Sequence, residues 1–428
     1  GCWFSLCQER TIASNDRLIE FYSSGLLFFA TSDRSRISWA TCCMGTRRER
    51  LVRELAIGID QANDRRAIRE RLARDAFARG AEATTLRLRA GLRGQFGAGF
   101  NALVEGEGIA ATGAYNSGAN GHAARPAITD PAGVELNQAW LGWKGKSGSI
   151  TLGRQRLLFD NQRWIGNSGW RQNEQTFDAV AGDWQVTPTL TARYAWLDRV
   201  HRVSGPDALD PLARARDLST HLFNLAWKHG AQQWVGYAYL HDDRDVAGAS
   251  TASYGLRWTG SRLHAGNGWG WTLETARQRD YADNPLSFSH AYWLVEPNLA
   301  WHGVTYRAGW EHLGGNGTHA LQTPLATLHA FDGWADKFLV TPPGGLEDRY
   351  VGAGGKFGRG ANAGKFNWST AWHDYRADSG GRYGTEWDAA FGFPVRGPVS
   401  GMVKLADYRS DGFARDTRKL WLQLEWVH

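Results

Sequence analysis

Arg87, Arg89 and Arg93 alternate with Leu86, Leu88 and Leu92 in one segment of this 428-residue chain. Alternate residues of a strand share a face at a spacing of about 6.6–6.8 Å. On that geometry the first two guanidiniums project side by side, and the third lies about 13 Å beyond them. Guanidinium is always charged and grips a carboxylate two-pronged, so such a ladder could pass an acidic group from one position to the next. The same alternation places Arg193, Arg257, Arg307 and Lys404 on polar faces, along with Glu105, Glu107, Glu274, Glu311, Glu386 and Asp388. The competing reading is that these bases pair with acids on neighbouring strands and merely stiffen a wall.

Two other segments interleave flat rings with planar donors. Asp160–Gln175 contains Arg163, Trp164, Trp170 and Arg171 among several amides, and Thr318–Thr341 contains Phe331 and Trp334. Such combinations suit pyranose rings, whose CH faces stack while their hydroxyls take directed hydrogen bonds. Leu321, Leu325, Leu328, Phe331, Trp334 and Phe338 recur every three or four residues, which predicts a short amphipathic helix. The competing reading for this second segment is a lid packed on neighbouring loops without touching solute.

Other signals are weak. The run His241–Asp245 lacks EF-hand spacing. No Gly-x-Ser-x-Gly elbow or phosphate-binding glycine loop occurs, and Cys2, Cys7, Cys42 and Cys43 form no Cys-x-x-Cys pair. No catalytic residue, metal site or cofactor is therefore expected.

The elements that would position these residues are strands. No stretch approaches the roughly 20 apolar residues of a membrane helix, and mean hydropathy is −0.45. From Thr84 onward the pattern has a period of two, as in Thr385–Phe393, where Thr385, Trp387, Ala389, Phe391 and Phe393 oppose Glu386 and Asp388. Many segments run to about twice the usual soluble strand of about 5–6 residues and match the 9–11 of a tilted transmembrane strand. Seventeen candidates begin at Thr84, joined by links that alternate between short and long. That is the pattern of an outer-membrane barrel, whose strand number is even. One strand before Thr84 is thus required, which predicts an all-β transmembrane antiparallel barrel of eighteen strands, with sixteen as the alternative. Residues 84–428 form the barrel, and residues 1–83 are an atypical segment. Within that segment Leu51–Asp60 is the candidate first strand, residues 1–50 are expected to add none, and Asn63–Arg79 reads as helical. The net charge of +6 splits evenly at this seam, 14 basic and 11 acidic residues before it and 35 and 32 after it, so no nucleic-acid partner is expected.

The runs Thr84–Gly91 (TTLRLRAG), Gly153–Gln155 (GRQ), Asp160–Gly166 (DNQRWIG), Trp170–Asp178 (WRQNEQTFD) and Thr323–Phe338 (TPLATLHAFDGWADKF) together resemble the alginate-export family of Gram-negative outer-membrane proteins. The resemblance spans about residue 83 to the end. It implies an 18-stranded barrel in the outer membrane, conducting an anionic saccharide or a related small anion. Arg87, Arg89, Arg93, Arg193, Arg257, Arg307, Lys404, Glu386 and Asp388 would then line the lumen. Rings of basic residues favour anions and acidic rings cations, so a mixed lining suggests a transverse field. Partners would be outer-membrane lipid and lipopolysaccharide, the solute, and the barrel-assembly machinery reading the last strand. The alternatives from other classes are a barrel enzyme acting on surface lipid or glycan, and a closed structural or adhesive barrel.

Overall fold

The computed structural model describes residues 19–24, 51–59, 80–358 and 364–426. Two short strands come first, β1 (Ile19–Ser24) and β2 (Leu51–Ile59). Seventeen longer ones follow: β3 (Glu82–Gln95), β4 (Phe100–Ala114), β5 (Gly133–Lys144), β6 (Gly148–Gln155), β7 (Thr176–Thr187), β8 (Leu190–His201), β9 (Ala215–His229), β10 (Gln232–His241), β11 (Thr251–His264), β12 (Asn267–Asp280), β13 (Ser289–Trp301), β14 (Val304–Leu313), β15 (Leu346–Phe357), β16 (Phe366–Arg376), β17 (Arg382–Arg396), β18 (Val399–Ser410) and β19 (Thr417–Trp426). Each of these seventeen pairs antiparallel with its sequence neighbour. The links alternate between short and long through β15, with turns such as 145–147, 188–189, 230–231 and 302–303 at one end and loops such as 115–132, 156–175, 202–214 and 314–345 at the other. Towards the C-terminus the two classes converge, at 358–365 and 377–381.

Closure uses β2. It pairs antiparallel with β19 through Leu424↔Ile59 and with β3 through Leu55↔Ala90, adding an eighteenth strand to the seventeen, and β1 joins the same sheet as a nineteenth among the described residues. The expectation that residues 1–50 hold no strand does not stand. β1 lies parallel to β2 and antiparallel to β3, with Ile19 opposite Gly94 and Ser24 opposite Arg89. The four cysteines and the helix read over 63–79 fall outside the described residues.

The pleat sorts the side chains. Leu92, Val104, Leu141, Leu152, Leu225, Leu256, Leu299 and Val351 are exposed on the outer face, as lipid contact requires. Near the short-turn end an aromatic belt forms from Trp227, Trp234, Trp258 and Trp271, with successive ring centroids 4.9, 5.8 and 5.3 Å apart. The opposite face is unusual for a wide barrel, because much of it is buried. Leu321, Leu325, Ala335 and Phe338 of loop 314–345 pack there with Trp164 and Ile165 of loop 156–175 and with Tyr237, Tyr292, Tyr375 and Tyr408 of the wall. Both loops fold inward.

The amphipathic helix expected in Thr318–Thr341 is absent; only a single 3-10 turn, Leu328–Ala330, forms there. Asp332, Gly333 and Asp336 take positive φ (56, 83 and 60°), which no α-helix tolerates. The apolar residues therefore enter the buried cluster from an irregular chain instead of from one helical face.

Candidate functional site

The two inward loops are stitched to each other before either meets the wall. Gly166 N–H donates to Leu325 O (2.9 Å) and Thr327 N–H to Gln162 O (3.1 Å). The Thr327 hydroxyl donates to Gln162 Oε1 (2.7 Å) and accepts from Ser168 N–H (3.0 Å). Gln175 Nε2 adds a bond to Leu325 O (3.0 Å). These bonds satisfy backbone groups that would otherwise be buried unpaired. The loops thus cross the lumen as one body.

One side of that body rests on the arginine ladder. Arg89 donates to Glu107 across the β3–β4 ladder and to Glu174 of loop 156–175, at 2.5 Å each. Arg156 bonds the other oxygen of Glu174 and reaches Glu105 at 2.8 Å. Arg87 donates to the backbone oxygens of Arg171 and Gln172, both at 3.1 Å. Arg93 lies further down the strand, 5.9 Å from the Trp140 ring. The upper ladder is thus engaged in holding a loop, and the pairing reading describes Arg89.

At the centre sits Arg163, only 1% exposed. Its Nε donates to Glu311 (2.6 Å) and its Nη2 to Asp332 (3.0 Å), while the guanidinium stacks 4.8 Å from the Phe331 ring. Tyr292 also donates to Glu311 (2.8 Å). Next to it Trp164 Nε1 and the Tyr237 hydroxyl both donate to Glu274 (2.9 and 2.8 Å), which Arg257 of the facing strand also bonds. Burial pushes the Asp332 carboxyl up to about 8, with Arg163 opposing and Glu311 and Asp348 reinforcing the shift.

The far side is a cation among rings. Lys404 Nζ lies 3.9 Å from the ring centres of both Trp170 and Trp334 and 5.4 Å from Trp421. It also meets His329 Nε2 at 2.7 Å, and His329 Nδ1 meets Asp336 at 2.6 Å. Burial pushes His329 down to about 3, so the ring is neutral, donating from Nδ1 and accepting from Lys404 at Nε2. Arg171 and Lys419 both bond Asp336, at 2.9 and 2.7 Å. Below, Glu386 accepts from Ala335 N–H (2.6 Å) and Asp388 from Trp334 N–H (3.2 Å). Only glycine fits at Gly333, because a Cβ there would collide with the Tyr375 hydroxyl and the Glu386 carboxylate.

All six loop residues singled out in the sequence therefore join this constriction, as do Arg87, Arg89, Arg257, Lys404, Glu386 and Asp388. Arg307 stands apart from it, and Arg193 reaches only the root of loop 156–175, donating to Leu158 O (3.1 Å). Arg193 bonds Asp183 and lies 4.8 Å from the Phe159 ring, while Arg307 is exposed beside Tyr350. Sequence reasoning missed Arg156, Glu174, His329, Asp332, Asp336 and Lys419 as members. Four of these lie inside the quoted runs, and Lys419 lies on the polar face of the last strand, so the signal was there.

A model of the family described as alginate export matches residues 60–302. The chain belongs to the alginate export family. Its fold is also that of several outer-membrane channels of known structure. OccK1 (OpdK) of Pseudomonas aeruginosa is similar at a TM-score of 0.63 and 13% identity, covering 84% of this chain and 96% of that one. OccAB4 of Acinetobacter baumannii has a TM-score of 0.67 at 11% identity, with the same coverage. OpdK solved with vanillate has a TM-score of 0.62 at 14% identity, again covering 84% and 96%. No curated protein matches the sequence. This alginate export family member is a porin-like β-barrel of the Gram-negative outer membrane.

Proposed function

We propose that the barrel is a passive channel for acidic saccharides or related small anions, with no enzymatic activity. The observation that carries this reading is the inward face of the short-turn half. Arg93, Lys144, Arg193, Lys228, Arg307 and Lys356 all lie there, and Lys144, Lys228, Arg307 and Lys356 are exposed. The acids on this half, among the described residues, are Asp183, Glu296 and Glu425. Asp183 is bonded by Arg193, and Glu296 accepts from the Tyr350 hydroxyl at 2.5 Å. The excess is positive, and low-dielectric walls focus such a field onto a passing anion.

Above this basic chamber the constriction mixes both signs, which keeps attraction from becoming a trap, since conduction needs release as well as binding. Phe331 and Trp334 are half-buried there, each with a cation against one face, and their other faces suit a sugar ring. The solved complex of the similar OpdK holds vanillate, and a carboxylate-bearing solute is the class proposed here too. On the outer face of the long-loop half, Arg277 and Arg279 supply phosphate-binding charge. Arg349, Arg376, Arg409 and Arg418 are shared with Glu347, Asp374 and Asp407, leaving an arginine excess that supports lipopolysaccharide as the surrounding partner. The last strand, β19, is the segment offered to the assembly machinery.

Planar-bilayer recordings test the substrate class. Uronate oligosaccharides should block the current at concentrations where neutral oligosaccharides of equal length do not. Equal block by both would leave a sugar channel without the carboxylate preference, and turnover of either saccharide would replace the channel reading with an enzyme.

A further inference from the structure

At the long-loop end, on the outer face of the wall, three side chains converge that no part of the channel reading uses. His312 of β14 and Glu347 of β15 are cross-strand partners, and Asp378 belongs to the turn between β16 and β17. One nitrogen or oxygen atom from each lies within 4.8 Å of the other two. His312 is buried, at 8% exposure, yet its Nδ1 has no hydrogen-bond partner. The nearest carboxylate oxygen, Asp378 Oδ1, stands 3.9 Å away, too far for a hydrogen bond.

The surroundings fix each donor. The Trp293 ring stacks on the imidazole at 5.2 Å and 11°, setting its plane. Arg349 Nη2 holds one Glu347 oxygen at 2.7 Å. Asp378 is tied at both ends, its N–H donating to Gly344 O (2.9 Å) and its Oδ2 accepting from Gly315 N–H (3.3 Å). Outer contacts of this kind orient ligands in metal sites.

We propose that His312, Glu347 and Asp378 bind one divalent transition-metal ion of the zinc class. Zinc takes imidazole nitrogen and carboxylate oxygen at about 2.0–2.2 Å, which puts two ligands of a tetrahedral ion about 3.4 Å apart. The 3.9 Å separation of His312 and Asp378 closes to that with a small movement of the exposed turn. Calcium fits poorly, since it needs six to eight oxygens and gains nothing from imidazole. Three protein ligands leave a fourth position for water.

The location gives the ion a task. His312 lies just before loop 314–345 and Glu347 just after it, so an ion here would staple together both roots of the loop that crosses the lumen, along with the adjacent turn. The ion would stabilise the native barrel by mass action, with the effect growing with its concentration. Nothing in the sequence spacing shows this site, because its ligands come from three separate segments.

The test uses the full chain purified in detergent, with cobalt(II) as an optical probe. One equivalent should produce saturable visible absorption bands, and zinc should abolish them. Zinc should raise the temperature of heat-modifiable migration by several degrees. Asp378→Asn, in an exposed turn, should weaken cobalt binding at least tenfold while preserving the folded band, and His312→Gln should abolish it. Absence of saturable binding to the folded wild-type chain, or binding unchanged by Asp378→Asn, would overturn the proposal. Stronger stabilisation by calcium than by zinc would do so as well. If His312→Gln fails to fold, the Asp378→Asn titration alone decides.

Discussion

The two loops that meet inside the barrel are held by different physics. Loop 156–175 is anchored by side-chain charge, with Glu174 between Arg89 and Arg156 and Arg163 between Glu311 and Asp332. Loop 314–345 has an ion pair to the wall, Asp336 with Lys419, and also offers backbone N–H groups to wall carboxylates at Ala335 and Trp334 and buries Leu321, Leu325 and Phe338. Charge pairs are directional and costly to break singly, because the partner left behind is a buried ion. Apolar burial tolerates small shifts. The first loop should thus behave as a rigid strut, and the second as the part that adjusts to solute.

Breaking the strut should have the largest effect. Arg163→Leu strands Glu311 without its cation and removes the hydrogen bond to Asp332, a loss of about 3–5 kcal/mol for a buried pair deprived of one member. Single-channel recordings should show a conductance increase of several-fold, with the folded band on gels retained because the wall strands are untouched. Unchanged conductance would mean that the joined loops do not set the pore.

The wall is legible in the amino-acid sequence because lipid on one side and polar lumen on the other impose a period of two on every strand. All seventeen candidates appear, most within three residues of their expected ends. Cross-strand charge partners such as Arg89↔Glu107 and Arg257↔Glu274 follow from the same face assignment. The inward path of the loops is not legible there. Leu321, Leu325 and Phe338 have helical spacing in the sequence, yet positive φ at Asp332 and Asp336 turns the chain, and they enter the buried cluster without forming a helix. Loop packing carries no fixed period, so Arg163 reads as a solute contact when it is a buried tie.

Acidity should sharpen the contrast between the loops. Asp332 is an acid whose folded value is raised, to about 8 from 3.8. The closed arrangement thus holds a proton that the released loop gives up. Closure is favoured at acid pH, and that advantage is lost as pH rises through the raised folded value. Conductance should fall between pH 9 and pH 6, and Asp332→Asn should flatten that dependence. A wild-type channel with the same conductance across this range would contradict the assignment.

Glu174→Gln should be milder, because Arg89 keeps Glu107 and Arg156 keeps Glu105. A cost of about 2 kcal/mol is expected for the lost charged hydrogen bonds, seen as a lower midpoint in urea refolding with a modest rise in conductance. Lys404→Met should be smallest, at about 1–2 kcal/mol for a buried cation over aromatic rings. Its signature is a change in tryptophan fluorescence as Trp170 and Trp334 lose the ammonium between them.

The central claim is that the basic short-turn chamber makes the channel prefer anions. The direct measurement is the reversal potential in a potassium chloride gradient across a planar bilayer, for the wild type and for a variant with Lys228→Glu, Arg307→Glu and Lys356→Glu. The wild type should reverse toward the chloride equilibrium potential, and the variant should shift toward potassium. A wild-type potential on the potassium side, or one that the three substitutions leave in place, would contradict the account.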